Sequence, residues 1–437
     1  MSEYFHSVTL DKDRCRGCTN CIKKCPTEAI RVRNGKARII KERCIDCGEC
    51  IRVCPYHAKL AVTDDISIMN NFRYKIALPA PSLYGQFRNL SIDEILTSLI
   101  NIGFDEVYEV AYGAEIVSKF TRDELKKNNL KKPVISSACP AIVRLIQIKF
   151  PSLIDNLLDL SSPMDISAEI AKKNASKKTG LNEEDIGVFF ISPCAAKVTS
   201  VKRPIGIEKS KVDGVFSMRE FYGLILDNYK PDKTIKLSKA SMIGVGWANS
   251  GGESYGTMIE NSIYVDGIQS VIKVLEEIEL GKLNDLDFFE GLACIGGCIG
   301  GPLTVENNFV AKNRIRKLAD ELDKSTDLNN AVFEDIEGIE LFWSKKVMKN
   351  DVLDLDKNII KAIDMMKQID KQYKELPGLD CGSCGSPTCR ALAEDIIKGY
   401  ATEYDCIFKL KDRIKALSKE LNELVLKSPP ILDKKEE

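Results

Sequence analysis

The sequence predicts a mixed α/β protein made of three units, and two observations support this. From about residue 73, apolar strand-like runs alternate with amphipathic helical stretches, a pattern typical of a largely parallel sheet. The sixteen cysteines are clustered, because eight lie within residues 15–54, four stand apart within 139–298, and four lie within 381–406. We therefore expect an N-terminal unit, a central α/β unit and a small, mostly helical C-terminal unit, spanning residues 1–66, 67–350 and 351–437.

Local signals place individual elements along the chain. Residues 31–39 alternate polar and apolar side chains around Asn34-Gly35, the strongest short signal for a hairpin. Ser91 and Glu94 form the pattern of a capping box and predict the start of an amphipathic helix. Apolar runs predict strands of the central unit, one ending within residues 77–81 and others at 107–110, 133–135 and 186–191.

Two isolated cysteines, Cys139 and Cys194, each follow closely after a predicted strand. Ligands of open parallel sheets bind beyond the carboxyl ends of the strands. Both cysteines are therefore predicted to lie at a functional site.

The composition excludes several classes of protein. With 44% hydrophobic and 29% charged residues, the 437-residue chain differs from collagen-like, coiled-coil-only and largely disordered proteins. Its 63 Lys and Arg nearly balance 64 Asp and Glu, giving a net charge of -1, so we expect no nucleic-acid partner. No apolar stretch approaches the roughly 18 residues of a membrane span, and the first residues lack the features of a signal peptide. We therefore expect a cytoplasmic protein.

In that reducing compartment, the sixteen cysteines favour metal binding over disulfide formation. Only two histidines, His6 and His57, accompany them. This scarcity disfavours mixed cysteine-histidine zinc sites and leaves all-thiolate sites for zinc or for iron-sulfur clusters.

The N-terminal cysteines follow a duplicated spacing, in which Cys-x2-Cys-x2-Cys-x3-Cys-Pro begins at Cys15 and again at Cys44. In bacterial two-cluster ferredoxins with this run, three close cysteines hold one 4Fe-4S cube and the fourth crosses to the other cube. We therefore predict a two-cluster ferredoxin-like domain, with a pair of four-cysteine zinc sites as the alternative. The expected ligands are Cys15, Cys18, Cys21 and Cys54 for one cube (cube A), and Cys25, Cys44, Cys47 and Cys50 for the other (cube B).

The C-terminal cysteines offer a fourth set of thiolates in a glycine-rich segment. Glycines allow tight backbone turns whose N–H groups can point at the sulfurs of a cluster. The segment resembles a small 4Fe-4S domain found in several electron-transfer complexes, although zinc fits the same spacing. The predicted ligands are Cys381, Cys384, Cys389 and Cys406.

Three further motifs contain the remaining four cysteines. Taken singly, each of these cysteines fits a buried structural thiol. Taken together, the motifs resemble the three signature motifs of the iron-only (FeFe) hydrogenases, and the resemblance extends over nearly the whole chain. The motifs are SSACP at residues 136–140, SPCAAK at 192–197 and LACIGGCIGG at 292–301.

The resemblance implies a two-lobed α/β hydrogenase catalytic domain that carries an H-cluster. That cofactor combines a 4Fe-4S cube with a two-iron subsite bearing CO, cyanide and an azadithiolate. In the family pattern, Cys298 also bridges to the two-iron subsite, and Lys197 donates a hydrogen bond to an iron-bound cyanide. The alternative for Lys197 is an ordinary lysine exposed to solvent. The cube would be held by Cys139, Cys194, Cys294 and Cys298, and the pocket would be lined by Ala80, Pro81 and Ser82. With three further 4Fe-4S clusters, the four cubes require sixteen thiolates, the number that the chain contains.

The sequence departs from the family at the proton relay. Ala138 stands where efficient members have a proton-carrying cysteine, and Ser200 stands where they have a glutamate. Glu124 is a candidate for a retained acidic station, with a solvated helix face as the alternative. Glu253, which follows two glycines, is a candidate for another proton route, with a surface turn as the alternative.

These features predict slow, reversible H2 oxidation and proton reduction with a sensory or regulatory role, as in the sensory branch of the family. Electrons would pass through the 4Fe-4S clusters. The alternatives are a non-catalytic hydrogenase-like iron-sulfur scaffold and a fast bidirectional hydrogenase linked to ferredoxin. Expected partners are H2 and protons, a ferredoxin or a signalling protein as redox partner, and hydrogenase maturation proteins.

The C-terminal segment carries a pattern of its own, because apolar residues recur there at 3-4-3 spacing. This spacing predicts a helix with a seam for a homodimer or another partner, and packing on its own domain is the alternative. The residues are Ile414, Leu417, Leu421 and Leu424.

Overall fold

The computed structural model describes residues 5–322, 333 and 336–427. The described strands are β1 (Val8–Leu10), β2 (Ile30–Arg33), β3 (Lys36–Ile39), β4 (Lys59–Ala61), β5 (Tyr74–Pro79), β6 (Glu106–Val107), β7 (Val134–Ile135), β8 (Ile186–Ser192), β9 (Gly214–Ser217), β10 (Ser262–Asp266) and β11 (Phe288–Leu292). The described helices are α1 (Asn20–Lys24), α2 (Glu49–Arg52), α3 (Ile92–Ile102), α4 (Val110–Lys126), α5 (Pro140–Lys149), α6 (Pro163–Thr179), α7 (Ala195–Lys202), α8 (Met218–Asn228), α9 (Met242–Gly246), α10 (Gly252–Thr257), α11 (Ile268–Glu279), α12 (Asn308–Glu321), α13 (Ile359–Lys374), α14 (Cys389–Ile397) and α15 (Ile407–Leu426).

The N-terminal unit consists of two antiparallel strand pairs and two short helices that carry cysteines. Strands β2 and β3 form the predicted hairpin, with Ile30 opposite Ile39. Its turn residues Asn34 and Gly35 both have positive φ, 52° and 70°, as a tight two-residue hairpin turn requires. Strand β1 pairs with β4 and so brings the two ends of the unit together.

The central unit contains two separate parallel sheets, which form its two lobes. The first has the strand order β6-β5-β8-β9 and the second has the order β10-β11-β7, and every pairing in both is parallel. All seven residues of β8 are buried, which explains its continuous apolar sequence. The predicted α/β fold class is confirmed.

Individual predictions for the central unit differ in accuracy. Helix α3 starts at the predicted capping box, in which Ser91 and Glu94 bond to each other's backbone N–H groups. The strand predicted at residues 107–110 is shorter than expected, because Val110 already begins α4. Strands β9, β10 and β11 lie outside the strands that the sequence predicts.

The N-terminal unit is fastened to α7 of the central unit by a buried carboxylate. Asp46 accepts a hydrogen bond from the Thr199 hydroxyl at 2.8 Å and another from the Val8 backbone N–H at 2.9 Å. The Ser7 backbone N–H donates to the same Thr199 hydroxyl at 3.0 Å. Helix α7 therefore has a fixed position relative to the cysteines around Asp46.

The C-terminal unit docks on the hairpin of the N-terminal unit. The buried carboxylate of Asp395 accepts hydrogen bonds from Arg31 at 2.7 Å and from Arg33 at 2.9 Å. The Val32 backbone N–H donates to the Gly385 carbonyl at 2.8 Å. A Cβ at Gly385 would lie 1.9 Å from the Val32 carbonyl oxygen, so only glycine permits this approach.

The predicted C-terminal helix is present as α15, and none of its twenty residues is buried. In the part of the chain that the structure describes, no helix combines the length and the apolar character needed to cross a membrane. The domain boundaries at residues 66 and 350 stay predictions.

Candidate functional site

A cavity of about 100 Å³ lies where the two parallel sheets of the central unit meet. The segments around it follow the carboxyl ends of strands β5, β7, β8 and β11, as expected for parallel sheets. Cys139 is the N-cap of α5 and Cys194 is the N-cap of α7, while Cys294 follows β11 and Cys298 begins a short 3-10 turn. All four cysteines line this one cavity.

The burial of these thiols bears on what the cavity can hold. Burial, reinforced by the neighbouring cysteines, raises the pKa of Cys194 to about 12, and burial also raises the pKa of Cys139. Four thiolates crowded together in an apolar cavity therefore need a positively charged centre to be stable. An iron-sulfur cube bound by four thiolates fits this donor set.

The four cysteines differ in exposure, in an order that fits the resemblance. Cys294 is buried, Cys139 and Cys194 are half-buried, and Cys298 is the most exposed of the four. Cys298 is the residue that the family pattern assigns to the bridge. Gly301 belongs to the same motif, and a Cβ there would lie 2.2 Å from the Pro193 carbonyl oxygen. This close approach explains a glycine at the end of the motif.

The remaining wall of the cavity is mostly apolar. Lys197 lines it and is half-buried, so it is not an ordinary solvated lysine. The predicted residues Ala80, Pro81 and Ser82 also line it, and all three are buried. Further lining comes from Val110, Ala114, Pro163, Met164, Phe190, Trp247 and Leu292. Lys197 is the one lysine or arginine among the described residues that line the cavity.

Two buried glutamates complete the wall. Glu253 accepts a hydrogen bond from the Ser136 hydroxyl at 2.5 Å, and Glu290 accepts from the backbone N–H groups of Gly251 and Ser254 at 2.9 and 2.8 Å. Burial and the charge of Glu290 raise the pKa of Glu253 to about 8. Glu253 is therefore buried rather than part of a surface turn, and it is mostly protonated at neutral pH.

Sequence reasoning missed Glu290. The signal was available, because Glu290 is an acid within the otherwise apolar run of β11, four residues before Cys294. A buried acid in such a strand is rare unless it is hydrogen-bonded or functional.

The other proton-relay candidates lie in different surroundings. Ala138 lines the cavity, and its backbone N–H donates to the Ser136 hydroxyl at 3.2 Å. Glu124 lies on α4 in an ion pair with Lys127 and is not among the described residues that line the cavity. Ser200 is half-buried on α7, one turn beyond the lining residues.

The eight N-terminal cysteines form two groups in space. One small cavity is lined by Cys15, Cys18, Cys21 and Cys54, and a second by Cys25, Cys44, Cys47 and Cys50. These are the two sets expected for cube A and cube B.

Arg52 connects the cube B cysteines with the central cavity. Its guanidinium lies 3.4 Å from the Cys294 sulfur and 3.4 Å from the Cys47 carbonyl oxygen. Arg52 also forms an ion pair of 2.8 Å with Glu49, so its charge is compensated. One side chain thus bridges the cube B group and the central group of cysteines.

The four C-terminal cysteines belong to the small core of the C-terminal unit. Cys389 and Cys406 are buried at the starts of α14 and α15, while Cys381 and Cys384 are half-buried. Hydrogen bonds from Ser383 lower the pKa of Cys381. The donor set suits a thiolate-bound cluster.

Three family models match this chain. Residues 73–257 and 230–302 match the family described as iron only hydrogenase large subunit, C-terminal domain. A 4Fe-4S dicluster domain matches residues 7–55, and a family of Fe-S cluster domains matches residues 376–408.

Individual proteins show the same similarity. Iron hydrogenase 1 of Clostridium pasteurianum is 25% identical over 375 residues, covering 69% of this chain and 65% of that protein. The cytosolic Fe-S cluster assembly factor NAR1 of Scheffersomyces stipitis is 29% identical over 124 residues, covering 26% of this chain and 23% of that protein. A solved FeFe-hydrogenase superposes with a TM-score of 0.48 at 13% identity, covering 66% of this chain and 96% of that chain. This chain spans less than two thirds of the length of the curated relatives it matches.

The match to the hydrogenase domain extends over more than half of the chain and includes the four cysteines of the central cavity. Iron-sulfur domain matches flank it on both sides. The chain therefore belongs to the iron-only hydrogenase family.

Proposed function

We propose that this chain activates H2, catalysing H2 = 2 H+ + 2 e-, with an H-cluster in the central cavity. One observation carries the proposal: four cysteines, Lys197 and an apolar wall converge on a single cavity with space beyond the thiols. The bound cofactor supplies the redox chemistry of the reaction. The chain's residues hold it, orient it, exclude water and handle protons.

The cavity residues divide these tasks between them. The thiolates of the four cysteines would hold the cube, and Cys298, the most exposed of the four residues, would also bind the two-iron subsite. Lys197 lines the same cavity, so its ammonium group would supply a charge-assisted hydrogen bond to a cyanide ligand of the bound group. The wall around Ala80, Pro81 and Ser82 keeps the site dry, which strengthens that bond.

Proton handling falls to Glu253. Ala138 has only a methyl group and cannot carry a proton, whereas the Glu253 carboxyl lies on the wall of the same cavity. Its pKa of about 8 is close to neutral pH, which suits a group that both takes up and releases a proton. Glu290 is the next acid along this side of the cavity.

Electrons leave through the N-terminal unit. Cube B is the neighbour of the central cavity, since Arg52 contacts both Cys47 and Cys294. A cluster held by the cube A cysteines would be the next electron carrier. The loss of the relay residues at Ala138 and Ser200 supports slow turnover and hence a sensory or regulatory role, rather than fast ferredoxin-linked catalysis.

A second candidate function is a non-catalytic iron-sulfur scaffold. The match to the NAR1 assembly factor favours it. The half-buried Lys197 and the space beyond the thiols favour the catalytic proposal, because a scaffold that binds only a cube has no need of either.

Metal content tests the proposed cofactors. Because four sets of four thiolates are present, the fully matured protein should contain about sixteen irons in cubes and two more in the subsite, without stoichiometric zinc. Iron, zinc and sulfide analysis of the anaerobically purified protein measures this. One zinc per chain with about twelve cubane irons would assign the C-terminal site to zinc instead.

Infrared spectroscopy combined with H2-dependent dye reduction tests the activity itself. The matured parent should show bands of iron-bound CO and cyanide and should reduce the dye. Lys197→Met should shift or remove the cyanide bands and lower the activity, since the hydrogen-bond donor is lost. Lys202→Met is the matched control on the same helix, because Lys202 pairs with Asp64 instead of lining the cavity. Full cubes without CO or cyanide bands in the parent would favour the scaffold.

Replacing Glu253 tests the proton route. Glu253→Gln removes a group that titrates near pH 8, so H2–D2O exchange should fall by roughly 100-fold and lose its pH dependence in that range. The control is Glu124→Gln, which removes an acid of α4 outside the cavity lining and should leave the exchange rate unchanged. The opposite result would make Glu124 the proton station.

The same variant changes how stability depends on pH. The raised pKa means that the native state holds more protons than the unfolded state between pH 4.5 and about 8. The parent therefore loses stability as pH rises through this window, and Glu253→Gln should reduce that loss. Thermal unfolding at pH 5 and pH 8 measures the difference.

We propose that the partner of α15 is a second copy of the chain. Ile407, Leu410, Ile414, Leu417, Leu421 and Leu424 form an uncovered stripe at alternating spacings of three and four, as in coiled coils. Arg413 and Glu420 flank this stripe one heptad apart. An antiparallel pair of helices brings Arg413 of one copy beside Glu420 of the other, whereas a parallel pair brings Glu420 beside Val425. Charge therefore favours an antiparallel homodimer.

A charge-reversal cycle tests this dimer. Arg413→Glu should shift the protein to monomers in sedimentation experiments, and adding Glu420→Arg should restore the dimer because the pairing is re-created with reversed signs. Asn422→Lys, on the outer face of the helix, is the control and should leave the dimer intact. A monomeric parent would rule the homodimer out.

A further inference from the structure

Lys59, on strand β4, is a buried lysine with no hydrogen-bond or ion-pair partner among the residues that the structure describes. Its residue surface is 2% exposed, and its ammonium group makes no hydrogen bond to any described residue. No carboxylate among the described residues forms an ion pair with it. Burial of an unpaired ammonium group is costly, so a buried lysine normally faces a compensating negative charge.

The surroundings of Lys59 indicate what supplies that charge. Lys59 lines the small cavity of the cube A cysteines. Strand β4, which carries Lys59, also packs against α2, the helix that carries Cys50 of the cube B group. Lys59 therefore lies between the two groups of cysteines, where each group presents thiolates.

Lys59 differs in this respect from the other cation of the electron path. Arg52 also lies beside cluster cysteines, but Glu49 compensates its charge at 2.8 Å. The charge of Lys59 is uncompensated by protein groups in the described part of the chain. Its full electrostatic effect is therefore available to whatever occupies the two cavities.

We propose that Lys59 is the shared counter-cation of cube A and cube B, and that it raises the reduction potentials of both. This inference rests on the proposed occupancy of the eight N-terminal cysteines by two cubes. A thiolate-bound cube carries negative charge, which increases when the cube takes up an electron. A nearby buried cation therefore stabilises the reduced form more than the oxidised form.

The shared position gives Lys59 a role in electron passage. Because one charge acts on both cubes, it raises both potentials together and adds little to the difference between them. Electrons can then pass between the cubes in either direction without a large uphill step. Lys59 thus acts on the reduction potentials of the two cubes through its charge and does not line the central cavity.

The test is a redox titration of the full-length, iron-loaded protein, followed by EPR of the two neighbouring cubes. At the midpoint potential of the parent, Lys59→Met should lower the ratio of reduced to oxidised cubes by about tenfold or more, for both cubes. A tenfold change corresponds to about 59 mV for a one-electron couple. Lys59→Arg, which keeps the charge, should stay within about threefold of the parent ratio.

Two further variants keep the result interpretable. Lys12→Met removes an exposed lysine from the same unit and should leave the ratio unchanged, because water screens its charge. Lys59→Gln replaces the methionine variant if that protein does not fold. An iron-replete neutral variant with parent-like ratios, or a change in one cube only, would overturn the inference. If the parent lacks the two N-terminal cubes, the proposed function fails instead.

Discussion

Four thiols from distant parts of the chain must meet at one cavity, and the architecture of the central unit depends on this requirement. Cys139, Cys194, Cys294 and Cys298 each follow the carboxyl end of a parallel strand, and those strands belong to two different sheets. The sheets therefore have to present their carboxyl ends to each other. A single continuous sheet would leave the cavity open on one side, whereas two facing lobes close it with apolar walls.

Helix α7 also joins the N-terminal unit to the central cavity. Helix α7 is capped by Cys194 and carries both Lys197 and Thr199. The Thr199 hydroxyl donates to Asp46, which lies between Cys44 and Cys47 of the cube B group. One short helix therefore fixes a ligand, a cation and the adjoining unit together. On the other side of the N-terminal unit, Asp395 secures the C-terminal unit through two arginines of the hairpin. Buried hydrogen bonds thus connect the three units that carry the cysteine groups.

Charge balance distinguishes the buried ionic groups of these three units. Asp395 and Arg52 have protein partners, so their burial is accounted for within the chain. Lys59 has no such partner among the described residues, and the crowded thiols of the cavities need a positive centre to ionise. Clusters that are negatively charged overall but rich in iron answer both needs, since iron stabilises the thiolates and the cluster as a whole attracts the lysine. Glu253, at the central cavity, differs from these groups. Its raised pKa keeps the carboxyl protonated at neutral pH, so no buried charge needs a partner.

The sequence by itself determined the features that depend on local spacing. The duplicated cysteine run, the Asn34-Gly35 hairpin and the capping box at Ser91 were all readable, because each acts within a few residues of the chain. Only the tertiary structure decided the rest. It buried Glu253 and paired it with Glu290, left Glu124 on a helix away from the cavity, and isolated Lys59 between two cysteine groups. The reason is physical: the state of an ionisable side chain depends on burial and on neighbours distant in sequence, which no local pattern records.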